Sequence, residues 1–417
     1  MSSNIGHDAQ ELRTNCRKMF RAVVVLGAAI IVSACTTVLV RAPVPEEEIQ
    51  TAAPYGIRDA GILRVWGDTL SDEESSTILR GWTDRLRRVK AAEIAAGGPI
   101  EEISLALSGG GPDGAFGAGV LKGWTERGDR PEFTIVTGIS TGAIVGLFAF
   151  LGPDYDQALE EIYTTYTTDQ LLIPTFFSAL TGGTAVTDTR GYRGLIEQYV
   201  TDEVVAEIAR QHRRGRALLI GTTNLDAARP VVWSIGGIAE SGHPDARRLI
   251  HDIILASSAI PAAFPPAIIP VTASDGTTYD EMHVDGGATQ QVMFFNPSFP
   301  IKWVDEALGV KFNRQIYVLI NNSLKKPYNP VRPRVLSIAG AAAGSLIGGS
   351  GTGDIYKIFA IAQRDDIDLQ VLSIPKTFSL TAEEPFDPVY MKALFDLGYE
   401  FGLAGDRWQN KPPDFTP

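Results

Sequence analysis

The segment Gly138-Ile139-Ser140-Thr141-Gly142 constrains this chain most, because it sets a serine between two glycines where an apolar strand gives way to an apolar helix. Phe133-Thr134-Ile135-Val136 reads as a short buried strand, and Ala143-Ile144-Val145-Gly146-Leu147-Phe148 continues from the serine as a helix. A serine at such a junction sits on a sharp, strained turn, the arrangement of a nucleophile elbow. Glycine is needed on both sides because the strand and helix backbones approach closely there and a Cβ would obstruct them. The helix that starts after Ser140 also directs its positive end at any oxyanion formed on the serine.

A second signal lies upstream. Leu105-Ala106-Leu107 reads as a strand that runs into Ser108-Gly109-Gly110-Gly111-Pro112-Asp113-Gly114 and then into a helix. Consecutive backbone N–H groups in such a loop can converge on an anion. Gly109-x-Gly111-x-x-Gly114 also matches a dinucleotide fingerprint, which calls for an acid about twenty residues on, at the end of the next strand. The nearest acids, Asp129 and Glu132, precede that strand. With an elbow in the same chain, an oxyanion hole is the more economical reading of the glycine triplet.

A serine hydroxyl needs a base. His7 falls in an N-terminal targeting segment; His212 sits beside Arg213 and Arg214 and His243 in a Gly-His-Pro loop, so both read as exposed, and His251 falls on an amphipathic helix. In Met282-His283-Val284-Asp285-Gly286-Gly287 the carboxylate precedes paired glycines, a turn that can fix it with backbone donors. His283 and Asp285 share a face if they lie on one strand, so both remain candidates at this point.

From Glu102 onward short apolar strands alternate with helices, the pattern of a largely parallel sheet covered on both faces. Strands are expected over Ile103 to Leu107, Phe133 to Val136, Ala217 to Thr222, Val231 to Ser234 and Gln315 to Ile320. Helices are expected over Gly114 to Arg127, Tyr155 to Tyr166, Gly191 to Arg210, Asp245 to Ser257 and Pro388 to Leu403. Ser71-x-x-Glu74 is a capping box for a helix to about Ala96, with Arg85, Arg87, Arg88 and Lys90 on a solvated face. Arg41 to about Asp68 reads as a proline-punctuated tether, and the Gly-, Ala- and Ser-rich stretch Gly340 to Gly353 as a flexible lid.

The glycine triplet, the Gly138-Ile139-Ser140-Thr141-Gly142 elbow and Asp285-Gly286-Gly287, in this order, resemble the patatin-like phospholipase family. The resemblance runs from about Ile103 to Ser323 and includes Ala256-Ser257-Ser258-Ala259-Ile260-Pro261 and Phe264-Pro265-Pro266. It implies an α/β fold, a three-layer α/β/α sandwich on a mostly parallel sheet. Ser140 would be the nucleophile, Asp285 the base of a Ser-Asp dyad, and Gly109, Gly110 and Gly111 the oxyanion hole, with no metal or cofactor. The implied activity is a serine lipid acyl hydrolase of the phospholipase A or lysophospholipase type. Its rivals are an α/β-hydrolase esterase with a histidine-bearing triad and a catalytically silent lipid-binding lipoprotein. One position departs from the family: a basic residue is common just before the last glycine of the loop, and here it is Asp113.

The N-terminus adds a location. Arg17, Lys18 and Arg21 precede an apolar run, Ala22 to Ala34, too short to span a membrane, and Met19 offers an alternative start. Val32-Ser33-Ala34-Cys35 resembles the lipobox of bacterial lipoproteins, which implies acylation of Cys35, a cell-envelope location and, with Thr36 following, the outer membrane. The chain then divides into a signal peptide (1–34), a tether (35–70), a helix packing on the body (71–100), a catalytic domain (101–325) and a helical extension (326–417). Removing four basic and two acidic side chains in residues 1–34 takes the formal charge from −12 to −14. Such acidity argues against a nucleic-acid partner and against electrostatic docking on anionic lipid, and leaves the acyl group as the attachment to the membrane.

Overall fold

The computed structural model describes residues 41–58, 61–174, 185, 187–261, 263–324, 330, 331 and 333–412. The expected signal peptide, Met19 and Cys35 lie outside the described residues. The strands are β1 (Ala53–Pro54), β2 (Arg64–Trp66), β3 (Ile100–Leu107), β4 (Ile135–Ile139), β5 (Ile173–Pro174), β6 (Thr187–Asp188), β7 (Ala217–Asn224), β8 (Arg229–Ser234), β9 (Ala267–Thr272), β10 (Thr278–Asp285), β11 (Phe312–Ile320) and β12 (Ile367–Ser373). All but the small β5–β6 ribbon join one sheet, in which β7, β4, β3, β11 and β12 form a parallel block. Antiparallel strands β10, β9, β1, β8 and β2 extend it beyond β7.

Alternation along the parallel strands sends side chains to two cores. Leu105, Leu107, Val136, Leu218 and Ile220 pack with Phe116, Val145, Ile250 and Leu394 on one face. Ala106, Ile316 and Val318 meet Ile355, Ile358 and Ile361 on the other, giving three layers. The helix Pro388–Ala404 closes the first face, capped by Asp387 and lying against Gly114–Arg127 through facing glycines. A Cβ on Gly119 would stand 2.0 Å from the Phe395 carbonyl, and one on Gly398 2.1 Å from that of Phe116.

Four expectations are corrected. Gly340 to Gly353 is no loop: it lies inside the helix Val335–Asp365, whose C-terminal half buries Ile355, Ile358 and Ile361 against the sheet. Packing of that apolar face outweighs the low helix propensity of its glycines. Residues 41–70 are not a free tether, since β1 and β2 pair with β9 and β8 and Pro43 bridges Asp280. The span Gly191 to Arg210 is two helices, Arg190–Tyr199 and Asp202–Arg213, because the Thr201 hydroxyl caps the second by accepting from Val204 N. The first helix likewise breaks at Lys90 into Asp72–Val89 and Ala91–Ala96, while its Ser71/Glu74 capping box is present. No described helix is long and apolar enough to cross a membrane.

Candidate active site

Ser140 caps the helix Thr141–Leu151 in a strained conformation, φ +56° and ψ −126°, that non-glycine residues adopt rarely. The flanking glycines are sterically required. A Cβ on Gly138 would stand 2.1 Å from the Gly142 carbonyl oxygen, and one on Gly142 2.6 Å from the carbonyls of Leu107 and Ser108. The Ser140 N–H donates to Ser257 Oγ (2.9 Å), which donates to the Gly221 carbonyl (2.7 Å), so the elbow is tied to β7.

Asp285 reaches the serine from the opposite direction. Strand β8 occupies one edge of β7, and the other edge is shared end to end by β4 and β10, with Ile139 opposite Gly221 and Asp285 opposite Thr222. The end of β4 therefore abuts the end of β10, which sets the Ser140 side chain near enough to the Asp285 carboxyl to lower its pKa. The Asp285 N–H donates to the Ala259 carbonyl (2.9 Å), and Oδ1 accepts the Gly287 N–H (2.7 Å), the backbone donor that the paired glycines imply. Both residues are 5% exposed. Burial pushes the Asp285 carboxyl up to about 7, against the opposing hydrogen bonds from Ser140 and Gly287.

The glycine triplet divides in use. Gly109 N–H is spent on the Gln291 carbonyl (2.9 Å), which removes it from the expected set of oxyanion donors. Asn321 Nδ2 donates to the Ser108 carbonyl (3.0 Å) and Asn322 Nδ2 to that of Gly109 (2.9 Å). In a trans peptide the N–H points away from its carbonyl, so Asn322 turns the Gly110 N–H to the opposite side. Among the described residues neither Gly110 nor Gly111 N–H has a partner. Gly110 packs so closely that a Cβ would stand 2.1 Å from the Asn321 carbonyl, and Gly111 has φ +57°. Asp113 accepts the Tyr390 hydroxyl (2.8 Å), which directs one carboxyl oxygen to the C-terminal helix.

The histidines are engaged elsewhere. His283 is fully buried with Nε2 on Glu281 (3.0 Å) and Nδ1 on Thr222 Oγ1 (3.0 Å), and burial lowers its pKa. Although Glu281 is itself buried, Arg64 and His283 pull its pKa to about 2. His212, expected at the surface, is buried beside Arg85, and desolvation with that neighbouring charge lowers it to about 3. His243 is half-buried in its loop, and His251 Nε2 contacts the Val200 carbonyl (2.7 Å).

A cavity of about 40 Å³ opens beside Ser140 and Gly111, walled by Ile144, Leu195, Ile260, Phe264, Phe386 and Met391. Several contributors carry no local sequence signal. Phe386 and Met391 come from the C-terminal extension, and Asn321, Asn322 and Gln291 hold the glycine loop from distant segments. Gln291 in turn is fixed by Asp354 of the long helix, which accepts Gln291 N–H (2.7 Å) and Val292 N–H (3.4 Å).

Residues 105–296 match the family model described as Patatin-like phospholipase. Among solved structures, the crystal structure of VipD from Legionella pneumophila is similar at 12% identity and a TM-score of 0.37, over 75% of this chain and 68% of that one. Human GIVD cytosolic phospholipase A2 is similar at 12% identity and a TM-score of 0.28, over 68% of this chain and 51% of that one. No curated protein matches significantly. Residues 105–296 of this chain are a patatin-like phospholipase domain.

Proposed function

We propose that this protein is a serine lipid acyl hydrolase in which Ser140 is the nucleophile, Asp285 the base of a Ser-Asp dyad, and the Gly110 and Gly111 amides the oxyanion hole. The observation that carries the proposal is the juxtaposition of the strained Ser140, at the end of β4, with the buried Asp285 at the end of β10. As Ser140 Oγ attacks an ester carbonyl, its proton passes to Asp285 and the negative oxygen settles on the two free amides. Collapse of the tetrahedral intermediate expels an alcohol or lysolipid, which takes that proton back. Water then attacks the acyl-enzyme and gives a proton to Asp285, which passes it to Ser140 Oγ as the C–Oγ bond breaks and the fatty acid leaves. A carboxylate near 7 is a far better match to this task than one near 4. The apolar wall of Ile144, Leu195, Ile260 and Phe264 suits the start of an acyl chain.

The proposal also holds that acylated Cys35 anchors the enzyme in the bacterial envelope, at the outer membrane, beside its lipid substrate; its support is the lipobox-like Val32-Ser33-Ala34-Cys35. Purified wild type and Ser140→Ala decide the catalytic part. Wild type is expected to hydrolyse short-chain p-nitrophenyl esters or phospholipids and to take up a fluorophosphonate, and the variant to do neither. Equal turnover by the two proteins would sink it.

A further inference from the structure

A cavity of about 710 Å³ lies away from Ser140, on the face of the sheet covered by the helices Asp72–Val89 and Val335–Asp365. It shares no lining residue with the cavity at Ser140. Its volume falls within the range of about 300–1,000 Å³ usual for small-molecule sites. Trp66, Trp82, Leu219, Val232, Phe294 and Ile358 make most of its wall apolar.

Its charged lining is lopsided. Arg64 is paired with Glu281, Lys357 with Asp354, and the acid Glu102 with Arg314. Arg85, Arg88 and Arg213 have no ion pair among the described residues, and the acid that faces them is Glu240, which contacts His212 at 3.6 Å. Arg85 donates to the carbonyls of His212 and Arg216, so its charge is tethered but not neutralised. Burial lowers Arg85 to about 10, against the attraction of Glu240 and with the repulsion of Arg88. An apolar chamber lined by the half-buried Arg85 and the exposed Arg88 and Arg213, with Glu240 as the one carboxylate facing them, is complementary to a molecule with a long apolar body and an anionic end.

We propose that this cavity is a second lipid site that binds a long-chain carboxylate, with the acyl chain against Trp66, Trp82 and Leu219 and the carboxylate facing Arg85, Arg88 and Arg213. The proposal does not rest on hydrolysis at Ser140.

Oleate binding to full-length Ser140→Ala protein, read by displacement of fluorescent cis-parinaric acid below the micellar concentration, tests it. Saturable binding of one oleate is expected, with methyl oleate at least tenfold weaker because it lacks the charge. Arg88 is exposed and has no ion pair among the described residues, so Arg88→Glu is expected to keep the fold and to weaken oleate at least tenfold. Leu219→Trp, which fills the chamber, is expected to abolish binding; should it fail to fold, the Arg88 variant still decides. Absence of saturable binding overturns the proposal. So does equal affinity for oleate and methyl oleate, or binding lost on Ile260→Trp beside Ser140 but kept in Leu219→Trp.

Discussion

Ser140 and Asp285 meet because the strands that carry them run toward each other along one edge of β7, Ile139 opposite Gly221 and Asp285 opposite the next residue, Thr222. This collinearity makes the serine a neighbour of a carboxylate although no local motif joins them. It also shuts water away from the pair, which raises the carboxyl to about 7.

Asp285→Asn is expected to lower kcat/KM by ~10²–10⁴-fold, the usual contribution of a positioned base. His283→Ala is expected to cost under about tenfold in the folded fraction, because the ring serves Glu281 and Thr222. Its damage should appear as lost thermal stability instead. Parallel kinetics and melting curves check both; a histidine variant as inactive as the asparagine variant would favour a triad.

The rate should rise with pH as Asp285 ionises. For a base whose pKa stands near 7, kcat/KM is expected to climb tenfold per unit well below 7 and level off above it. A profile already flat from pH 5 upward would show that the carboxyl titrates at its ordinary value.

Stability should run the other way. Because the folded-state pKa of Asp285 is raised above the unfolded value, ionisation penalises the folded state progressively from about pH 4 to 7, and fully above that. Asp285→Asn removes the penalty, on the order of 4 kcal/mol at most. The variant is therefore expected to melt above wild type at pH 8 and to converge with it at pH 4, as calorimetry across that range will show.

Gly110→Ala is expected to displace the oxyanion loop, since its Cβ would stand 2.1 Å from the Asn321 carbonyl. Loss of one donor typically costs ~10²–10³-fold in kcat. Fluorophosphonate labelling kinetics, which need the same hole, should slow in parallel, whereas unchanged labelling would exclude Gly110 from it.

Asp354→Ala tests whether the long C-terminal helix supports the site. It strands the Gln291 and Val292 amides, and a buried unpaired donor costs ~1–3 kcal/mol. Lower stability together with reduced kcat is expected, and Asp354→Asn, which keeps an acceptor, should recover part of both. Full activity in the alanine variant would mean that Gln291 holds Gly109 without help from the helix.

The chain's own sequence determined the features that depend on neighbours along the backbone. Glycines at 138 and 142 are dictated by a strand-to-helix turn with no room for Cβ atoms, and Ser71 with Glu74 marks a helix start. The glycine triplet was legible as an anion-binding loop for the same reason. What only the tertiary structure decided are the pairings between distant segments. Hydrogen bonding to Gln291 spends Gly109 N–H, and Asn322 on the Gly109 carbonyl turns the Gly110 N–H to the opposite side. The register of β10 on β7 delivers Asp285 to the serine and commits the ring of His283 to Thr222. A stretch as rich in glycine as 340–353 carries no strong local preference, so its helical state came from the apolar face that the helix, farther along, packs on the sheet.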